Sequence, residues 1–223
     1  MARTAQQLGL AASAALLLGA SSTAQEPAGI ALSRLVPALQ QKYSAINDFS
    51  AGFVHTYEGG VLRKKLTERG ELLVKKPGRM RWTYSAPEEK VFVSDGERLY
   101  SYVPADRQVV VSAMPQGDEA STPILFLVGK GNLARDFDAF PAAVEGAPAG
   151  SVSVRLTPKR PQREYAWLTL VVDARNLSLR MLQSADAQGG VSTFTFLDLK
   201  ENVGIPDGRF VFKIPRGTDV ITQ

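Results

Sequence analysis

Histidine and cysteine do much of the proton-transfer and nucleophilic work in proteins, and this sequence has one histidine, His55, and no cysteine. A lone imidazole with no orienting group in view reads as a structural or surface residue. Neither a Gly-x-Ser-x-Gly elbow nor a His-Glu-x-x-His helix occurs. Gly129-Lys130-Gly131 is too short for a phosphate loop and suffices as a helix stop. Asp136 and Asp138 are close together, but without a second cluster they read as a solvated loop. Asn176-Leu177-Ser178 fits a glycosylation acceptor in form only. The pattern that carries chemistry is apolar. From Leu72 to Pro87 the chain reads strand, Pro-Gly turn, strand, with Met80, Trp82 and Tyr84 alternating with Arg79, Arg81 and Thr83. One face of this hairpin is aromatic and the other cationic, and the question for the whole chain is what the apolar face is for.

The elements that must position this hairpin follow from periodicity. Leu32, Leu35, Leu39, Tyr43 and Ile46 form one stripe, predicting a helix over 29–46. Ser33 is a candidate N-cap that would leave Pro37 in the first turn, whereas an earlier start would place Pro37 inside the helix and kink it. From Phe49 the period falls to two, with Phe49, Phe53, His55 and Tyr57 on one parity. Gly70 marks a candidate bulge in the long charged strand that follows. Asp95-Gly96 is a two-residue hairpin turn, and Pro104-Ala105-Asp106 turns the chain again. Residues 122–128 begin Thr-Pro and continue with five large apolar residues, predicting a short helix stopped by Gly129. Strands resume at 152–157, 166–173, 177–184, 191–199 and 210–214.

Composition limits the role. Met1 to Ala24 has one charge, Arg3, an apolar run and a small-residue end, the layout of a secretory signal peptide. The expectation is cleavage after Ala24, export, and one domain over residues 25–223. An exported chain without cysteine fits the bacterial periplasm. A net charge of +4 with dispersed basic residues argues against nucleic-acid binding.

The expected fold is α+β but mainly β. It is an incomplete antiparallel barrel, a curved sheet of about ten or eleven strands, with helices across its concave side. Met80, Trp82, Tyr84, Phe53 and part of 125–128 would line the space between. Periodicity leaves two readings of that space: an ordinary core, or a ligand cavity with the 122–128 helix as its lid.

In order and spacing, several stretches resemble the LolA family, the periplasmic carriers of outer-membrane lipoproteins. They are Leu-Val-Lys-Lys-Pro-Gly-Arg-Met-Arg-Trp (73–82), Val-Ser-Asp-Gly (93–96) with Leu-Tyr-Ser-Tyr (99–102), Thr-Pro-Ile-Leu-Phe-Leu (122–127), Leu-Thr-Pro-Lys (156–159) and the segment 209–220. The resemblance covers nearly all of the chain after residue 24. It implies a half-open barrel with helices as a lid over a lipid-binding cavity, walled by Met80, Trp82, Tyr84, Phe53, Tyr43, Leu125 and Phe126. It implies cargo taken as lipoprotein acyl chains from an ATP-driven, ABC-type complex of the inner membrane and delivered to an outer-membrane acceptor. A monomer with no catalytic residue, cofactor or metal would suffice. The family's arginine before the turn proline, a lid latch, is Lys76 here, and lysine keeps the charge but loses the planar fork. Related proteins leave two alternatives: a carrier of another lipid in a dedicated export system, and an RseB-like lipid-sensing regulatory module.

Overall fold

The computed structural model describes residues 31–59, 64–114, 131–162 and 164–223. Helix α1 spans Leu32–Ala45 and is followed by β1 (Asp48–Glu58), β2 (Lys65–Lys75), β3 (Arg79–Ala86), β4 (Lys90–Asp95), β5 (Arg98–Val103) and β6 (Gln108–Ala113). A four-residue helix α2 (Leu133–Asp136) leads into β7 (Phe137–Pro141), then β8 (Ser151–Pro158), β9 (Trp167–Asp173), β10 (Leu179–Ala185), β11 (Val191–Glu201) and β12 (Asp219–Thr222). All twelve belong to one open, curved sheet in the order β12-β6-β5-β4-β3-β2-β1-β11-β10-β9-β8-β7. Every pairing is antiparallel except β12 with β6, which is parallel.

The alternation read from the sequence becomes two faces. Residues opposite one another in an antiparallel pair share a face, so Phe49, Ala51 and Phe53 of β1 lie with Val74, Leu72 and Gly70 of β2, and these with Met80, Trp82 and Tyr84 of β3. This concave face carries the main core, and α1 packs into it through Leu35, Val36, Leu39 and Tyr43. At roughly 25 cal/mol per Å2 of apolar surface, a core like this is what a chain without cysteine must rely on in place of disulfides.

Four details depart from the sequence reading. Helix α1 begins at Leu32, so Ser33 is not its cap; Ala31 holds that position without a side-chain bond, and Pro37 lies inside the helix. Asp136 and Asp138 are not loop residues. Asp136 closes α2, where its carboxylate accepts from the Asn132 amide at 2.7 Å, and Asp138 sits in β7. The stretch 210–214 is not a strand: a 3-10 turn at Asp207–Phe210 carries the chain into an irregular strap, and the true strand is the short β12. Among the described residues there are therefore twelve strands, one pairing parallel, against an expectation of about ten or eleven in an antiparallel sheet. By contrast Gly70 is a bulge, with a register shift between Arg69 and Gly70. The 122–128 helix lies outside the described residues.

The strap explains the cationic side of the hairpin. After β11 the chain turns back across the convex face of β3 and β4. Lys75 Nζ donates to the Ile205 carbonyl at 2.7 Å and pairs with Asp207 at 2.6 Å, while Arg79 reaches the same carboxylate at 2.9 Å. An Arg81 guanidinium N–H donates to the Arg209 carbonyl at 3.3 Å. Phe210, Val93 and Val109 are fully buried beneath this crossing, and Phe212 packs against Tyr100 and Tyr102.

Candidate functional site

Of the residues singled out from the sequence, Tyr43, Phe53, Met80, Trp82 and Tyr84 come together in one buried cluster on the concave face. Leu125 and Phe126 lie outside the described residues. β1 and β3 do not pair with each other. They meet across β2, because Gly70 opposes both Phe53 and Tyr84. A Cβ at Gly70 would stand 2.1 Å from the Thr83 carbonyl and 2.7 Å from the Phe53 ring. The missing side chain is what lets the Phe53 ring lie across β2. There it meets Trp82 at 5.0 Å and Tyr84 at 4.9 Å, both edge-on, the arrangement aromatic quadrupoles favour.

The structure adds members that the sequence reading passed over. Phe194 of β11 lies 5.1 Å from Trp82 and 6.0 Å from Phe53, and Phe92 of β4 lies 5.7 Å from Tyr84. The signal for Phe194 was present in the alternation Thr193-Phe194-Thr195-Phe196, but only the β1–β11 register, which sets Phe196 opposite Phe53, shows which wall it joins.

At one end of this aromatic row the face turns polar. His55 stacks on Phe194 with ring centroids 4.2 Å apart and planes 3° from parallel. Its Nδ1 lies 3.0 Å from Glu68 Oε2, and its Nε2 lies 3.3 Å from Ser192 Oγ. A carboxylate can only accept, so Nδ1 carries the proton and Ser192 donates to Nε2. Lys90 Nζ donates to the other Glu68 oxygen at 2.7 Å. Burial, with some help from Lys90, lowers the His55 pKa below its ordinary value despite the pull of Glu68. Burial alone would raise the Glu68 pKa, but the bonds from Lys90 and His55 together bring it down. The lone histidine is thus the neutral member of a part-buried, hydrogen-bonded trio with Glu68 and Lys90, and Ser192 bonds its other ring nitrogen. The order Ser192–His55–Glu68 is that of an acyl-transfer triad, but the 3.3 Å contact to Ser192 is long for an activated hydroxyl, and Lys90 occupies the second oxygen of the carboxylate.

Lys76 sits where the hairpin turn meets the helix. Its Nζ donates to the Tyr43 carbonyl in the last turn of α1, and its own amide donates to the Asn47 carbonyl at 2.8 Å. A cation there satisfies an orphan carbonyl and complements the negative end of the helix dipole. Burial lowers the Lys76 pKa. Lys75 points to the other face and holds the strap. Tyr43 itself is buried, its hydroxyl donating to the Leu177 carbonyl at 3.3 Å, and burial raises its pKa. Adjacent lysines therefore secure different layers on opposite sides of one sheet.

This arrangement offers an apolar face roofed by a helix whose C-terminal end is tied down by Lys76, by the Lys42–Glu201 ion pair at 2.8 Å and by the Tyr43 hydroxyl. Among the described residues no group of His, Cys, Asp and Glu could hold a metal ion. No described helix is long and apolar enough to cross a membrane.

The comparisons with known proteins agree on a family. Residues 44–213 match the family model described as outer membrane lipoprotein carrier protein LolA. The chain is 33% identical over 215 residues to the outer-membrane lipoprotein carrier protein of Chromohalobacter salexigens, covering 94% of this chain and 96% of that one. It is 30% identical over 210 residues to the same carrier of Pseudomonas aeruginosa, again covering 94% and 96%. Among solved structures, an uncharacterized conserved protein from Thermus thermophilus superposes with a TM-score of 0.53 at 12% identity, over 86% of this chain and 99% of that one, which speaks to the fold alone. A chain whose aromatic half-barrel wall and whose full-length similarity point the same way belongs to the LolA family of outer-membrane lipoprotein carriers, transport proteins rather than enzymes.

Proposed function

We propose that this protein is a periplasmic escort, cleaved after Ala24, that shields the acyl chains of lipoproteins between an inner-membrane releasing complex and an outer-membrane acceptor. The observation that carries the reading is the gathering of Tyr43, Phe53, Met80, Trp82 and Tyr84 into one apolar cluster beneath α1. An acyl chain in water costs ~0.8 kcal/mol for each exposed methylene, on the order of 10 kcal/mol for a long chain, so a soluble carrier must cover most of it. It must also let go. Here the apolar face is already occupied by α1 and by ring-on-ring contacts, so a cargo chain exchanges like for like. Its net affinity is reduced by whatever free energy holds the helix down. Lys76 supplies part of that hold. Leu125 and Phe126 would complete the wall. The carrier acts as a monomer, without nucleotide or cofactor of its own.

The test uses the purified protein with a triacylated lipoprotein presented in inner-membrane vesicles. Met80→Glu places a carboxylate where the native side chain is 7% exposed, and its expected outcome is loss of cargo uptake with the far-ultraviolet circular dichroism of the sheet retained. Normal uptake by that variant removes Met80 from the wall. Lys76→Leu loosens α1, so uptake persists while transfer to the acceptor slows several-fold. Unchanged onward transfer ends the latch reading. Mass spectrometry of the species that co-purifies with the native protein then separates a lipoprotein cargo from another lipid.

A further inference from the structure

On the convex face of β7–β9, away from the strap, one arginine is held in place by an aromatic ring instead of by hydrogen bonds. Arg155 of β8 lies with its guanidinium carbon 4.0 Å from the centre of the Trp167 ring. Its Nε is buried without a hydrogen-bond partner, and so is the hydroxyl of Thr169, the residue directly opposite it on β9. Thr169 is wholly buried. The Arg155 side chain forms no ion pair or hydrogen bond among the described residues, although the acidic Asp138 lies one pair along the same face. On its other side, directly opposite on β7, Phe140 is 51% exposed.

The ring contact and the lack of an ion pair favour an incoming carboxylate. A guanidinium lying over an indole has lost part of its freedom, so less is lost when it bonds a ligand. With Nε and the Thr169 hydroxyl both closed off, it is the two Nη groups of its planar fork that can take a carboxylate. The flanking aromatics make the neighbourhood apolar, which strengthens a charge-assisted bond and suits a partner with apolar side chains beside its acid. Trp, Arg and an exposed Phe in one patch are the side chains that dominate protein interfaces. We propose that this Phe140–Arg155–Trp167 patch is a docking site for an extended segment of another protein that presents an acidic residue between apolar ones. It is a contact separate from the concave face and does not depend on what that face carries.

The experiment reads Trp167 directly. The protein has two tryptophans, so a Trp82→Phe background leaves Trp167 as the only indole. It is titrated with the peptide acetyl-Leu-Glu-Leu-Asp-Leu-amide and with its Gln/Asn counterpart. The expected result is a saturable change in Trp167 emission with the acidic peptide, at least tenfold weaker with the amide peptide. Arg155→Ala should weaken the acidic peptide at least tenfold, with Arg155→Lys between it and the parent. Equal binding of the two peptides, or of the parent and Arg155→Ala, overturns the proposal. So does the absence of any saturable change. Vesicles of anionic phosphatidylglycerol form a second arm: Arg155-dependent binding there, with no response to the peptide, assigns the patch to a lipid surface and likewise overturns it. Because Arg155 lies on the convex face outside the main core, circular dichroism of each variant should match the parent, which separates loss of binding from loss of fold.

Discussion

The two sides of strands β3 and β4 are built from alternate residues of the same few positions, yet the convex side adds to its apolar packing the directional charged bonds of Arg79 and Arg81. On the concave side Met80, Trp82 and Tyr84 meet other apolar groups, with ring contacts to Phe53, Phe92 and Phe194. On the convex side Arg79 and Arg81 hold the strap by directional bonds to Asp207 and to the Arg209 carbonyl. Dispersion and hydrophobic contacts tolerate exchange of one apolar partner for another. Charge-assisted bonds demand their particular partner. The side proposed to exchange contacts with cargo is thus the side where exchange is cheap, and the side that must stay closed is pinned.

The comparison can be broken most sharply by paired truncations. Phe53→Ala, which removes a ring in contact with Trp82, Tyr84 and Phe194, is expected to cost about 4 kcal/mol, and Phe210→Ala, on the smaller convex patch, about 3 kcal/mol. The first should lower the main unfolding transition. The second should also make residues 205–216 susceptible to limited proteolysis while the concave rings stay protected. Simultaneous loss of protection on both faces in Phe210→Ala would mean that they form one cooperative unit.

Acid sharpens the same contrast. His55 titrates below its ordinary value of 6.5 in the fold, so its contribution is complete above that pH and is lost as the pH falls through the window beneath it. Glu68, also held low, adds a second loss below 4.5. The melting temperature should fall between pH 7 and pH 5. His55→Gln, which cannot take up the proton, should flatten that segment. An unchanged pH profile in His55→Gln would rule out the trio as the acid-sensitive part of the concave face.

The smallest effect belongs to a single surface contact of the strap. Asp207→Asn removes the charge that Lys75 and Arg79 share, but the aspartate is exposed, and the two backbone acceptors at Ile205 and Arg209 remain. A slight fall in melting temperature at low salt, vanishing at high salt, is expected. A large, salt-independent fall would mean that the strap depends on that one carboxylate.

Much of this was legible in the sequence because a period of two reports faces directly. The hairpin at 72–87 and the parity of Phe53, His55 and Tyr57 follow from it, while the Gly70 bulge follows from a glycine inside a strand. Periodicity does not report which strands become neighbours. Phe194 joins the aromatic wall only through the β1–β11 register, and the polar groups gathered around His55 come from β2, β4 and β11. The strap eludes the pattern for a related reason. Arg209-Phe210-Val211-Phe212 alternates like a strand, yet what matters is the buried Phe210 and the contact of Phe212 with Tyr100, and its backbone pairs with no ladder. From sequence, Arg79 and Arg81 form a cationic face with no assigned use, because their partners lie more than a hundred residues later in the chain.

That distance has a consequence for the order in which the molecule is assembled. β12 pairs with β6, with Val220 opposite Val109, half the chain away. Synthesis delivers the C-terminal residues last, and closing so long a loop costs entropy before any contact repays it. Until 205–222 arrives, Val93 and Val109 stand open on the outside of an otherwise paired sheet, and the edge of β6 has no neighbour. A chain halted before Ile205 would therefore present both an apolar patch and a bare strand edge, the pairing surface through which half-made sheets find one another.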